Sequence, residues 1–198
     1  MSTTTSEAPL APAIADPAPL GLAAFALTTF LLSATNAKLT RGAGDEWLAY
    51  ALAYGGLAQL LAAMWEFRNR NVFGATAFGT FGPFWIGLFV YVHFVAGPGE
   101  DVGNDLGWIL LAFAIFTFGL MVLSAQANTA VFLVFLSLEL ALIILFIGNF
   151  MGSANVIKIG GYVGIVTALV AWYTSLAGIA AGMGGRVQLP VGRPLIRL

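Results

Sequence analysis

Cysteine is absent, which excludes disulfides and thiolate metal sites. Histidine occurs once, at His93, and one imidazole cannot build a histidine metal centre. Charge is scarce too. Asp, Glu, Lys and Arg make up 9% of the chain, against roughly 25% in a soluble domain, so the chain cannot clothe a water-facing surface. The eight Lys and Arg are scattered at loop ends and make no basic patch, which argues against nucleic acid as a partner. No Walker-type Gly-Lys-Ser/Thr run is present. The first twenty residues hold Glu7 and Asp16 but no basic residue. A secretory signal starts positive, so residues 1–15 read as a disordered cytoplasmic tail.

What remains is apolar. Hydrophobic residues are 60% of the sequence and mean hydropathy is +0.92, which points to an all-α integral membrane protein. A span needs about 20 mostly apolar residues. Six stretches qualify: Leu20–Ala37, Trp47–Trp65, Val72–Val95, Leu106–Ala127, Thr129–Phe150 and Ile157–Met183. None alternates as the strands of a closed barrel do, so the expectation is a six-transmembrane-helix bundle over residues 16–185. Residues 186–198 form a second cytoplasmic tail. Six spans put both termini on one side, with Arg68, Arg70, Arg186, Arg193 and Arg197. Lys38, Arg41 and Lys158 lie opposite. Basic residues favour the cytoplasm, which predicts both termini inside. Trp47, Trp65 and Trp108 stand at span ends, as interfacial anchors do.

Two prolines and a glycine mark the start of the first span, in DPAPLGLAAF, Asp16 to Phe25. Proline is tolerated in a first helical turn, where its missing N–H has no partner anyway. The helix should therefore begin near Pro17 or Pro19, with Asp16 as its side-chain cap and Gly21 allowing a close neighbour. A helix start also exposes free N–H groups that attract anions, so the segment is either an entry device or part of an anion path. Gly148/Gly152, Gly160/Gly164 and Gly178/Gly182 are each four apart, a spacing that lets helices touch within a protomer or between subunits.

The stretch DPAPLGLAAFALTTFLL resembles the NPAPLGL signature of the acetate uptake transporter family, the succinate–acetate permeases. YGGLAQ (Tyr54–Gln59), FGATAFGTFGPFW (Phe73–Trp85), FLSLELAL (Phe135–Leu142) and IGN (Ile147–Asn149) resemble its other blocks, in order and with matching spacing. The signature falls on Asp16, Pro17, Ala18, Pro19, Leu20, Gly21 and Leu22. The resemblance implies a six-helix protomer in a plasma-membrane homo-hexamer, each subunit with its own pore for acetate, and in some members succinate or other short monocarboxylates. It implies a hydrophobic constriction at Phe25, Phe81 and Leu138, and polar path positions at Thr28, Gln59 and Asn149. Ala171 matches a position that influences substrate size. It implies neither a cofactor nor an enzymatic activity. The sequence departs from the family with Asp16 for Asn, with Phe81 where Tyr is common, and with Glu139 where a neutral residue is usual.

The residues fit a pore for a two-carbon acid. Hydroxyl and amide donors can replace water around a carboxylate without trapping it. Phe25, Thr28, Thr29 and Leu32 share one helix face, and Gly55, Gly56 and Gln59 another. Thr28 and Thr29 could equally bond back to their own helix, and Gln59 and Asn149 could join helices. Glu139 costs roughly 2.5–3.5 kcal/mol at mid-span and must pair, protonate or face water. It is a proton carrier or a packing residue. His93, near the end of the third span, reads as structural. Glu66, Arg68 and Arg70 read as a surface-anchoring loop. The alternatives are a channel for formate or ammonia and a structural membrane protein. No nucleophile–base pair supports an intramembrane enzyme.

Overall fold

The computed structural model describes residues 14–41 and 44–196. Glu7 and most of the N-terminal tail (residues 1–13) lie outside the described residues, as does Arg197. Among the described residues six helices are long and apolar enough to cross a membrane: α1 Ala18–Asn36, α2 Glu46–Arg68, α3 Val72–Val95, α4 Val102–Ser124, α5 Thr129–Phe150 and α6 Ala154–Gly182. The bounds of α3 and α5 coincide with the sequence expectation. Side-chain caps set the starts of four helices. Asn71, Asp101, Asn128 and Ser153 accept from the backbone N–H three residues on, opening α3, α4, α5 and α6. α1 differs from expectation. Its first residue follows Pro17, and Asp16 lies one position further out, where Oδ1 accepts from Ala18 N at 3.0 Å.

The helices form a ring in the order α4, α5, α6, α1, α2, α3. α1 lies deepest against α6, and small residues set the approach. A Cβ at Gly161 would stand 2.5 Å from the Ala37 nitrogen, and Gly164 abuts Ser33. Ser175 Oγ donates to the Pro19 carbonyl at 2.6 Å, and Gly178 takes the Pro19 ring. Gly160 and Gly148 serve the α5–α6 contact, against Leu145 and Ile157. A Cβ at Gly152 or Gly182 would meet nothing within 4 Å, so within the protomer the close packing falls to one partner of those pairs. Gly21 abuts the Phe78 ring. Between α3 and α4 the ring closes through side chains: Phe84 and Phe113 at 4.6 Å between centroids, and Tyr91 Oη donating to Asp105 Oδ2 at 2.6 Å.

α2 winds as a π-helix over Ala51–Ala58, and α3 ends in a second π segment, Tyr91–Val95. Wide turns of this kind are rare and tend to mark functional sites. Here the turn brings Gly55 under Thr28, whose hydroxyl donates to the carbonyls of Ala24 (3.1 Å) and Tyr50 (3.3 Å).

Two expectations are corrected. Trp47 is buried in the core and is not an interfacial anchor, whereas Trp65 and Trp108 are exposed. Glu66 does not lie on a surface loop. It is wholly buried at the end of α2, where Asn69 Nδ2 donates to Oε2 at 3.2 Å, while Arg68 and Arg70 are exposed. The chain after α6 runs back across the α4–α5 turn. The Val191 carbonyl accepts from Ala130 N, the Arg193 carbonyl from Thr129 Oγ1, and the Ala125 carbonyl from Leu195 N; Tyr173 Oη donates to the Pro190 carbonyl. This strap and the start of α1 share the terminal face of the bundle.

Candidate functional site: a neck between two vestibules

α1, α3 and α5 face the interior, and each contributes one large apolar side chain at the same depth. Phe25, Phe81 and Leu138 are 4%, 3% and 7% exposed. The rings of Phe25 and Phe81 meet edge to face, 5.8 Å between centroids. All three residues line two cavities at once. They are the wall between a vestibule of about 280 Å³ opening toward the terminal face and a far vestibule of about 40 Å³.

The terminal vestibule is walled mainly by Leu22, Phe73, Phe78, Val131 and Phe135, and Phe73 and Phe135 meet edge to face at 5.2 Å. Its polar groups come from helix starts and one amide. Ala18 opens α1, Asn71 caps α3 and Asn128 caps α5, and all three line the cavity. Three positive helix ends thus converge on one mouth. Gln59, the first residue after the π turn, is 1% exposed, lines the same cavity, and its Oε1 has no partner among the described residues.

The far vestibule carries two polar side chains without partners among the described residues, the Thr29 hydroxyl and the Trp85 indole nitrogen. Ser33 and Asn36 line it as well. An indole N–H only donates, and a threonine hydroxyl can donate. The chamber beyond the neck therefore offers donors to an acceptor-rich guest.

The comparisons bear on this arrangement. The model of the GPR1/FUN34/yaaH family matches residues 2–193. The chain belongs to that family. It is 41% identical to the ammonia transport outward protein 2 of Saccharomyces cerevisiae, over 91% of this chain and 68% of that one. It is 41% identical to acetate permease A of Emericella nidulans, over 89% and 65%, so it spans about two thirds of these fungal relatives. It is 33% identical to the succinate-acetate/proton symporter SatP of Escherichia coli K12, over 90% and 96%. The solved structure of the bacterial acetate channel SatP superposes with a TM-score of 0.83 at 32% identity, covering 90% of this chain and 99% of that one. These relatives and structures are transporters and channels, and the chain is a multi-pass membrane transport protein, not an enzyme.

In this member of the family, the site residues named from sequence divide into two groups. Phe25, Phe81, Leu138 and Gln59 meet at the neck and the terminal vestibule, where Ala18 and Leu22 of the signature also lie. Thr28, Asn149 and Ala171 line neither vestibule. Thr28 is held by the two carbonyls above, Asn149 Nδ2 donates to the Leu145 carbonyl at 2.9 Å, and Ala171 is fully buried in the core. Pro17, Pro19, Leu20 and Gly21 shape the start of α1; Asp16 is exposed there. Glu139 is 6% exposed, its Oε2 is unpartnered among the described residues, and it lines neither vestibule. His93 stacks on Phe89 at 5.6 Å near the end of α3. Sequence reasoning missed Trp85. Its signal was an indole inside a mid-span aromatic run, where no interface accounts for it.

Proposed function

We propose that the protein passes acetate and related short monocarboxylates, succinate among the further candidates, across the plasma membrane. It acts as a homo-hexamer with a pore in each protomer and both termini in the cytoplasm. The observation that carries this reading is the shared wall of Phe25, Phe81 and Leu138, with two donors lacking partners among the described residues, the Thr29 hydroxyl and the Trp85 N–H, on its far side. A carboxylate leaving bulk water meets three helix ends and the Gln59 amide, then sheds its shell as its methyl passes the rings. The Thr29 hydroxyl and the Trp85 N–H receive it beyond. None of these groups is a fixed cation, so binding is weak enough for release. Named relatives that carry acetate support the same substrate class.

The rival reading, ammonia, draws on the name of the yeast relative. The Trp85 N–H speaks for a carboxylate over the ammonium ion, to which a donor-only group offers nothing; neutral ammonia, which can accept from it, is set apart by flux. Purified protein in liposomes should take up radiolabelled acetate, with formate and succinate competing and ammonium inert. Competition by ammonium alone would overturn the reading. Proton coupling belongs to the proposal, since one relative is named as a proton symporter. Glu139 stands away from both vestibules, which favours its packing role. Glu139→Gln should leave proton-coupled acetate uptake unchanged.

A further inference from the structure

The transport reading leaves two buried carboxyls without a part in the path, and of these Glu66 is the one beside a vestibule. Glu66 has no exposed surface; its Oε1 makes no direct hydrogen bond among the described residues, and the Asn71 side-chain amide stands beside the carboxyl. It lies against Gly74 in the first turn of α3. A Cβ at position 74 would stand 2.7 Å from Glu66 Oε1 and 2.6 Å from Asn71 Nδ2. Gly74 and Asn71 line the terminal vestibule. The carboxyl therefore sits one residue's thickness behind the vestibule wall, at the positive end of α3. Among the described residues no cation acts on it there. The charged group that acts on it from α1 is Asp16, another acid. Arg68 and Arg70, on its own turn, are exposed. The ionisable groups of α3, Tyr91 and His93, lie at that helix's opposite end.

We propose that the Glu66 carboxyl exchanges a proton with the terminal vestibule and that its charge state controls entry of the carboxylate. The inference rests on the transport reading. With a proton on Oε1, the start of α3 keeps its positive end for the guest, and the Gln59 amide stands nearby in the same chamber. When that proton returns to the water of the vestibule, a negative charge is left behind the wall. It neutralises the end of α3 and, with Asp16, repels an arriving anion. Glu66 is thus a positioning residue that touches the vestibule wall and not the substrate. Gly74 gives it room, because any side chain at 74 would collide with the carboxyl.

The test is protein-dependent uptake of radiolabelled acetate by liposomes holding the full chain, from mildly acidic to mildly alkaline pH, with empty liposomes subtracted. Wild type should lose about tenfold or more of its uptake across the range, the Coulomb scale of one nearby charge. Glu66→Gln should be flat at the acid-side level. A purely structural role would scale the whole curve and keep its shape, and that result would overturn the proposal. Should Glu66→Gln fail to fold, infrared difference spectra of the Glu139→Gln chain with and without isotope-labelled acetate read the remaining buried carboxyl. A protonated-carboxyl band gained with acetate is expected, and its absence overturns the proposal. Wild-type liposomes without acetate uptake at any pH would instead bring down the transport reading itself.

Discussion

Leu138→Ala addresses the neck directly. The leucine is one of three side chains separating the vestibules and is 7% exposed. Truncation removes three carbons and joins the two existing cavities instead of opening a sealed one. The stability loss should therefore fall at the low end of the buried Leu→Ala range, about 2–3 kcal/mol. Lactate exceeds acetate by one carbon and one hydroxyl. Forcing such bulk through a packed wall costs about 1–3 kcal/mol. Relieving that cost multiplies passage about 5- to 150-fold, at tenfold per 1.36 kcal/mol. The assay is lactate and acetate flux into proteoliposomes at equal reconstituted protein. Lactate flux should rise by that factor, while acetate, which already fits, changes by a few fold at most. Lactate flux at background beside normal acetate flux would refute a steric neck at Leu138.

Other expectations follow from the packing. Gly55→Ala places a Cβ 2.5 Å from the Thr28 hydroxyl and should cost about 1–3 kcal/mol, read as a lower melting temperature in detergent and partly recovered by Thr28→Ala. Gly161→Ala meets the rigid backbone of α1 at 2.5 Å and should abolish monodisperse folded protein in size-exclusion chromatography. Ser175→Ala loses the bond to the Pro19 carbonyl and should cost about 1 kcal/mol in thermal unfolding. Removing residues 190–198 frees Ala130 N and the Ala125 carbonyl, and should speed amide exchange in the first turn of α5 with little effect on α2.

The transmembrane plan was open to reading because apolar runs of that length have one stable solution in lipid. Val72–Val95 and Thr129–Phe150 stand where the sequence put them, since polar turns with asparagine caps bound each run. The ends of α2 and α4 were harder. Glu66 and Arg68 extend α2 beyond its apolar stretch because the glutamate turns inward, which no spacing rule announced. Which of two adjacent threonines faces the cavity was equally hidden. The π turn of α2 presents Gly55 to Thr28, so Thr29 is left for the far vestibule. Trp85 escaped notice because a run of aromatics reads as core until a cavity is seen beside it. Phe25, Phe81 and Leu138, named from the family resemblance, do lie together, on three separate helices whose phasing sequence alone does not give.

The three helices that form the neck, α1, α3 and α5, all begin at the same face, so their peptide dipoles run parallel along the conduit. Even with every side chain neutral, the lumen has a built-in electrical slope that favours an anion at one mouth over the other. In a symmetric planar bilayer with equal salt on both sides, such a conduit should rectify, carrying unequal current at opposite voltages.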